Sequence, residues 1–295
     1  MCYSDAFSCP VIFGHTRVVG VLGWPIEHSV SPPMHNAAFR ALSLDWCYVP
    51  FPVAPAHLPD AIHGIRALGI RGVNVTVPHK QAVLELMDRL TPEARAIGAV
   101  NTVLVHEDTL VGHNTDAAGF LRALQEVGFS PRGTCLLLGA GGAARAVGYA
   151  LVRSGASLII LNRTLARAQA LAEDLAGAVP GSTIYAEPLG PAVLRRYVGD
   201  AKLVVNATPL GMWPNTDASP WPESLAFPQD ALLFDLVYNP RETKLIRQAR
   251  AQGARAVDGL RMLVHQGAEA FAEWVGVEPP VDVMYDACLR VLGGE

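Results

Sequence analysis

Charge is the first thing this chain is short of. Of its 295 residues only 17% are charged against 51% hydrophobic, and the formal net charge is −4. That balance, with no Lys/Arg-rich run, removes any broad electrostatic reason to bind nucleic acid. Cysteine is scarce and irregular: Cys2, Cys9, Cys47, Cys135 and Cys288 are odd in number and form no C-x-x-C. Such spacing excludes a paired disulfide framework, argues against a structural zinc and suits reduced thiols. No uncharged apolar run approaches the ~18 residues of a membrane-spanning helix. The stretch from Met1 to Pro10 carries Asp5 but no Lys or Arg, so it lacks the basic start of a secretory signal. Low-complexity segments and short-period repeats are absent too. A cytoplasmic globular protein with no metal, no membrane and no nucleic-acid partner is the expectation, and its length favours two domains over one core.

What is present is an alternation of strand and helix patterns. Past a tail of about a dozen residues, Arg17–Gly23, Trp46–Phe51 and Gly72–Val77 read as buried strands. Helices are expected from Ser31 at or near an N-cap through Leu42, over Pro59–Leu68 and over His79–Arg89. Ala99–Val105 and Thr109–Val111 suggest a short strand pair, and Thr115–Val127 a long connecting helix. Strands at Cys135–Leu138, Leu158–Leu161, Leu203–Asn206 and Leu232–Leu236 then alternate with helices at Ala143–Ser154, Ala166–Leu175 and Thr243–Ala251. Two more helices, Met262–Trp274 and Val281–Leu292, close the chain. The fold class is therefore α/β with parallel sheets. We expect an open α/β substrate domain over residues 1–116 and a Rossmann-type domain over 117–261, with 262–295 returning to the first.

Gly139-Ala140-Gly141-Gly142-Ala143-Ala144 has the form of a dinucleotide-binding turn. Gly139 permits the tight turn, Gly141 removes a side chain where pyrophosphate must approach, and Ala144 takes the third small position. Backbone N–H groups at the next helix start then face the anion. An ordinary glycine turn between strand and helix is the plainer alternative. Roughly 20 residues on, where an NAD-binding protein places an acid on the ribose, Asn162-Arg163-Thr164 offers none. Arg163 and Arg167 lie one helical turn apart and oppose the macrodipole, which favours a bound 2′-phosphate, hence NADP, over solvated charges.

The first half is rich in small hydroxyl and amide residues just past strand ends: Ser29, Ser31, Asn74, Thr76, Asn101-Thr102 and Asn114-Thr115-Asp116. Ligands of parallel sheets bind at that end, and such groups suit a small molecule carrying several hydroxyls. Taken singly, each is equally a cap or turn former. Lys80, expected at a helix start where a cation is unfavourable, needs another reason; paired with a carboxylate such as Asp116 it can exchange a proton with an alcohol. His28, His35, His79 and His113 show no metal-ligand spacing and read as structural.

These segments together resemble the shikimate dehydrogenase family. The resemblance rests on Gly23-Trp24-Pro25-Ile26-Glu27-His28-Ser29-Val30-Ser31-Pro32, Gly72–Lys80, Gly98–Thr102, Asn114–Asp116, the glycine turn, Asn162–Thr164, Asn206–Pro209, Asp235–Pro240 and Gly259–Gln266. It implies reversible NADPH-dependent reduction of 3-dehydroshikimate to shikimate in aromatic amino-acid biosynthesis. By family pattern Lys80 and Asp116 form the catalytic pair. Ser29 and Ser31, helped by Tyr238, hold the substrate carboxylate, and Asn74, Thr76, Asn101 and Gln266 read the ring hydroxyls. Asn206, Ala207, Thr208, Leu236 and Gly259 line the nicotinamide side. The chain departs from the pattern at Arg261, often glycine, at Leu236, often methionine, and at Pro92, an acid in some members. A dual-specificity quinate/shikimate dehydrogenase is the rival, usually NAD-dependent; a non-catalytic ligand-binding regulator is a further alternative that the presence of Lys80 and Asp116 disfavours. Monomer and homodimer both stay open.

Overall fold

A computed structural model describes residues 11–293; the tail with Cys2 and Cys9 lies outside them. The chain divides into two compact units. Of the described residues, the first comprises 11–95, 99–115 and 266–293, and the second 96–98 and 116–265.

Unit 1 is built on one mixed sheet. β1 (Arg17–Gly23) pairs in parallel with β2 (Trp46–Pro52) and with β3 (Gly72–Val75). β5 (Thr102–His106) then runs antiparallel to β3 and to β6 (Thr109–His113), and β4 (Arg89–Leu90) edges the sheet beside β6. α1 (Ser31–Ala41) and α2 (Leu58–Ala67) cross between the parallel strands, as buried parallel strands require. Ser31 is the first residue of α1 rather than its cap; Val30 holds that position, with Pro32 in the first turn. Ile62, Ile65, Val73, Val75, Val83 and Val103 form a core on one side. Only the last part of α9 (Leu260–Val275) belongs to this unit, with α10 (Val281–Gly293). α10 packs on α1. A Cβ at Gly72 would lie within 2.2 Å of the Trp274 indole nitrogen, so α9 lies directly on β3.

One expected helix does not form. His79–Arg89 holds only a short 3₁₀ turn, Ala82–Leu86, before β4. Sheet pairing overrides the helical pattern there. The Asp88 N–H donates to the Leu110 carbonyl, and its carboxylate accepts the Leu110 N–H at 2.7 Å and pairs with Arg66. Pro92–Ile97 forms a short helix, α3, that the sequence pattern did not suggest.

Unit 2 carries a six-stranded parallel sheet. Its strands are β7 (Thr134–Leu138), β8 (Ser157–Asn162), β9 (Ile184–Pro188), β10 (Ala201–Asn206), β11 (Leu232–Asp235) and β12 (Arg255–Val257). Spatial order is β9-β8-β7-β10-β11-β12, the doubly wound order of a Rossmann domain, reversing between β7 and β10. α4 (Asp116–Glu126), α5 (Gly142–Arg153), α6 (Leu165–Ala178), α7 (Pro191–Tyr197) and α8 (Lys244–Ala251) complete it. Of these, α7 and the edge strands β9 and β12 gave no clear sequence signal. Cys135 is buried in β7 and Cys288 in α10, and burial pushes both thiols up to about 12, which leaves them inert near neutral pH.

The aromatic centre of unit 1 surrounds His35 on α1. Its ring stacks on Tyr48 with centroids 4.3 Å apart, between Phe271 and Trp274, and neither ring nitrogen finds a hydrogen-bond partner among the described residues. Burial drives its pKa down to about 3. Protons therefore bind the unfolded chain better, and stability falls as pH drops from the unfolded value of 6.5 toward 3. His35→Phe removes two orphaned nitrogens while keeping the stack. The variant is expected to flatten the acid arm of the stability profile between those limits, as read by urea unfolding at a series of pH values; an unchanged slope would place the acid sensitivity elsewhere.

Candidate functional site

In a doubly wound sheet the ligand crevice opens at the carboxyl ends of the strands where the order reverses, here past Leu138 and Asn206. Gly139 leaves β7 with φ +110, and a Cβ there would sit 2.9 Å from the Ala207 carbonyl oxygen. Only glycine meets both conditions. Ala140 follows it, and Gly141 caps α5 with nothing within 4 Å of a would-be Cβ. The first turn of α5 begins with Gly142 and Ala143, both half-buried, while Ala144 is fully buried. Gly148 continues the close packing, its would-be Cβ 2.8 Å from Leu175.

Past β8, the Asn162 amide donates to the Thr164 carbonyl at 2.9 Å and shapes the turn into α6, whose cap is Thr164. Arg163 and Arg167 are both exposed at that helix start and neither makes an ion pair or hydrogen bond through its guanidinium among the described residues. The crowded Gly139, the open Gly141 and the two unpaired cations fit a phosphorylated dinucleotide.

At the far side of the switch point, Asn206 Oδ1 accepts from the Thr208 N–H at 3.0 Å and the Thr208 hydroxyl at 2.7 Å. The Ala207 N–H donates to Leu138, and the Leu236 N–H donates to the Asn206 carbonyl. Gly259 lies so close to Leu236 that a Cβ would meet its carbonyl oxygen at 2.1 Å. These residues are brought together by backbone contacts within one unit. Tyr238, half-buried, belongs to unit 2, whereas Ser29 and Ser31 belong to unit 1.

Unit 1 gathers a second polar cluster. Asn101 is 1% exposed, and its carboxamide nitrogen donates to the Thr115 hydroxyl at 2.9 Å and to Gln266 Oε1 at 3.2 Å. Its oxygen accepts from the Thr115 N–H at 2.8 Å and the Thr102 hydroxyl at 3.0 Å. Asn74 donates to Thr102 at 3.1 Å and accepts from the Tyr48 hydroxyl at 2.8 Å. Ser29 stands close by Ser31, whose N–H donates to the Ser29 hydroxyl at 3.3 Å, and Thr76 is half-buried just past β3. Tyr48 was missed by the sequence reading, although its alternation with Cys47 and Val49 already sets it on one face of β2.

Lys80 is not at a helix start. It lies in a turn, half-buried, and its carbonyl accepts the Val100 N–H at 2.8 Å. The macrodipole argument for it therefore falls, and its case rests on the residue type and the family pattern. Asp116 is 3% exposed and opens α4, where the long segment of unit 2 begins. Two of the histidines make hydrogen bonds within unit 1: His79 Nε2 sits 2.7 Å from the Val53 carbonyl and His113 Nδ1 3.1 Å from the Thr91 hydroxyl. Arg261, the departure noted above, pairs with Glu126 on α4, which also holds His265 at 2.9 Å. Burial works to raise the Glu126 carboxyl, but Arg261 and His265 together hold it below its ordinary value.

The class so defined is a two-unit α/β protein with a dinucleotide-type turn on a Rossmann sheet and a buried amide and hydroxyl cluster on a mixed one. The family model for the shikimate dehydrogenase substrate-binding domain matches residues 21–103, that for shikimate/quinate 5-dehydrogenase 123–209, and that for the shikimate 5′-dehydrogenase C-terminal domain 259–289. A shikimate dehydrogenase (NADP(+)) from Methanothermobacter thermautotrophicus is 49% identical over 96% of this chain and 99% of its own. The shikimate 5-dehydrogenase from Thermus thermophilus, solved with NADP(H) and shikimate, superposes with TM-score 0.84 at 42% identity, covering 94% of this chain and 100% of that one. A quinate dehydrogenase from Corynebacterium glutamicum, solved with NAD, gives TM-score 0.85 at 34% identity over 93% and 99%. The chain belongs to the shikimate dehydrogenase family.

The two glycines of the turn make separable demands. Gly139→Ala is expected to destabilise the protein by about 1–3 kcal/mol, the usual cost of overpacking, with left-handed strain added. Gly141→Ala is expected to leave stability within about 0.5 kcal/mol, as a surface change in open space does, and to weaken dinucleotide binding instead. Parallel thermal melts and binding titrations check the contrast; equal melts for both variants would remove it.

Proposed function

We propose that this chain catalyses the reversible NADPH-dependent reduction of 3-dehydroshikimate to shikimate, serving chorismate and aromatic amino-acid biosynthesis in the cytoplasm. The observation that carries this reading is the near-50% identity, along almost the full length of both chains, to shikimate dehydrogenases (NADP(+)). In this assignment residues 1–116 with 262–295 bind the substrate, and 117–261 bind NADP.

Bound NADPH supplies the hydride that reaches the substrate carbonyl carbon. Lys80 gives its Nζ proton to the oxygen as negative charge develops there, and takes it back in the oxidative direction. Asp116 holds a neighbouring hydroxyl and orients the ammonium. Ser29 and Ser31, with Tyr238, hold the carboxylate. Asn74, Thr76, Asn101 and Gln266 meet the ring hydroxyls; the buried carboxamide of Asn101 supports this role, because a site built to pair hydroxyls strongly rejects analogues lacking them. Gly139, Ala140, Gly141, Gly142 and Ala143 receive the pyrophosphate. Asn162, Arg163, Thr164 and Arg167 receive the 2′-phosphate, and Asn206, Ala207, Thr208, Leu236 and Gly259 face the nicotinamide. Oxidation of quinate is the second reading, suggested by the quinate dehydrogenase neighbour. The absence of an acid at Asn162-Arg163 counts against NAD as partner.

The deciding experiment follows reduced-nicotinamide absorbance with shikimate or quinate, each paired with NADP or NAD. A rate confined mainly to shikimate with NADP is expected. Comparable rates with quinate and NAD would move the chain to the dual-specificity branch, and no rate in any pair would leave a binding protein. In the same assay Arg163→Asp is expected to raise KM for NADPH far more than for NADH, since only the former loses a charge-paired phosphate; equal effects would remove the clamp. Lys80→Ala is expected to keep substrate affinity and to cut kcat by at least ~10²-fold, the usual share of general acid–base catalysis. Near-normal turnover would mean that another group moves the proton.

A further inference from the structure

The residues assigned to the nicotinamide side share a buried carboxylate that none of the roles above uses. Asp235 ends β11 after Leu232, Leu233 and Phe234, and it is wholly buried. No cation reaches it among the described residues. Its Oδ1 accepts from Asn206 Nδ2 at 2.8 Å and from the Val237 N–H at 3.1 Å, and its Oδ2 accepts from the Thr243 hydroxyl at 2.6 Å. Thr243 caps α8, its own oxygen accepting the Ile246 N–H at 3.2 Å, so its proton is left for Asp235.

This arrangement fixes the Asn206 amide in one of its two orientations. With Nδ2 against a carboxylate, Oδ1 faces Thr208 and accepts both of its donors. A flipped amide would set oxygen against oxygen and leave both Thr208 donors without an acceptor. The backbone extends the frame. The Leu236 N–H donates to the Asn206 carbonyl at 2.9 Å, and the Gly259 N–H donates to the Val237 carbonyl at 3.1 Å. Asn206, Thr208, Leu236 and Gly259 are therefore tied into one hydrogen-bonded frame with Asp235 at its centre. An apolar residue would continue the Leu-Leu-Phe strand with less desolvation, so the carboxylate is there for the donors it organises.

We propose that Asp235 is a positioning residue that presets segments 206–208 and 236–237 for the nicotinamide half of the dinucleotide, an assignment that rests on the cofactor reading given above. It acts on the redox end of the ligand and leaves the phosphate end, at Gly141 and Arg163, to other residues.

The test separates the two ends of the ligand. Adenosine 2′,5′-bisphosphate probes the phosphate end alone, and the fluorescence of NADPH on binding reports the surroundings of its dihydronicotinamide ring. Asp235→Ala is expected to abolish most of that fluorescence change and to lower kcat at least about tenfold, while bisphosphate affinity stays within about twofold. Asp235→Asn keeps both bonds at Oδ1 and offers Nδ2 to the Thr243 oxygen, and it is expected to recover most of the loss. Thr243→Val removes one of the three bonds and is expected to shift the same readouts in the same direction by about threefold, which serves should the alanine variant fail to fold. Equal weakening of NADPH and bisphosphate would overturn the proposal, because a general structural defect acts on both. A normal fluorescence change in Asp235→Ala, or none in the unmodified protein, would overturn it as well. An unmodified protein that shows the fluorescence change but turns over neither shikimate nor quinate would sink the proposed reaction alone, with the Asp235 comparison still decided by the two binding signals.

Discussion

Asn101 uses both ends of a side chain that has almost no contact with solvent. Its nitrogen is shared between Thr115 and Gln266, and its oxygen takes the Thr115 N–H and the Thr102 hydroxyl. A carboxamide placed there without partners would cost several kcal/mol, so the surrounding elements are bound to a single relative placement. Those elements are the entry to β5, the end of the segment after β6, and the first residue that α9 contributes to unit 1. The carbonyl of the same residue accepts the Val75 N–H at 2.7 Å, which adds the end of β3. One residue thus joins four chain segments, with Asn74 and Thr76 flanking its partner Val75 and Gln266 itself among its partners.

Unit 2 solves the same problem with different chemistry. The carboxyl ends of parallel strands leave backbone donors facing inward, and Asp235 collects one from Val237 along with side-chain donors from Asn206 and Thr243. Burial pushes its carboxyl up to about 6 even though the hydroxyl, backbone and amide donors oppose the rise, and Asp258 adds a little in the same direction as burial. A folded pKa above the ordinary 3.8 means that ionisation opposes folding. Any stability the protonated form contributes is present below about 4 and is lost as pH rises through about 6. The protein thus carries, near neutral pH, a charge that works against its own stability. Residues that cost stability without an evident packing gain are where function is expected to lie.

How much of this was readable beforehand depends on the range of the forces involved. Glycines at Gly139 and Gly141 announce themselves, because a strand-turn-helix with small residues has few other uses, and Gly139 occupies the tight turn that the pattern implies. The parallel strands were readable as apolar runs for a similar reason. His79–Arg89 was misjudged because Val83 and Leu86 have helical spacing, whereas the segment's fate is set by Leu110, 22 residues beyond Asp88. The edge strands β9 and β12 were missed because each pairs on one side only and lacks a continuous apolar run. Asp235 sits in plain view inside the motif Asp235–Pro240, yet nothing local says that its partners are Asn206 and Thr243. Networks between distant residues are the part that a linear pattern conceals, while Asn101 and Asn206 were visible as amides at strand ends but not as hubs.

On the proposed assignment, the cofactor preference follows from where unpaired charge is tolerated. Several exposed arginines have carboxylate partners, among them Arg196 with Glu187, Arg241 with Asp258 and Arg250 with Glu242. Such surface pairs contribute only about 0.2–1 kcal/mol each, so the lack of one at Arg163 or Arg167 costs the fold little. Their position matters more than their solitude. Both stand at the start of α6, where a cation meets the positive end of the helix at a cost of about 0.3–1 kcal/mol. A hydrogen bond to a charged group returns about 1.5–3 kcal/mol, and a guanidinium presents two to a phosphate in parallel. One bidentate contact therefore outweighs the helix-start penalty of both arginines. A ribose 2′-hydroxyl offers no charge to collect and leaves that penalty uncompensated. On the proposed assignment, discrimination between the two dinucleotides is thus set by an arrangement slightly unfavourable in the free protein, and the acid that would reverse it has no place in Asn162-Arg163-Thr164.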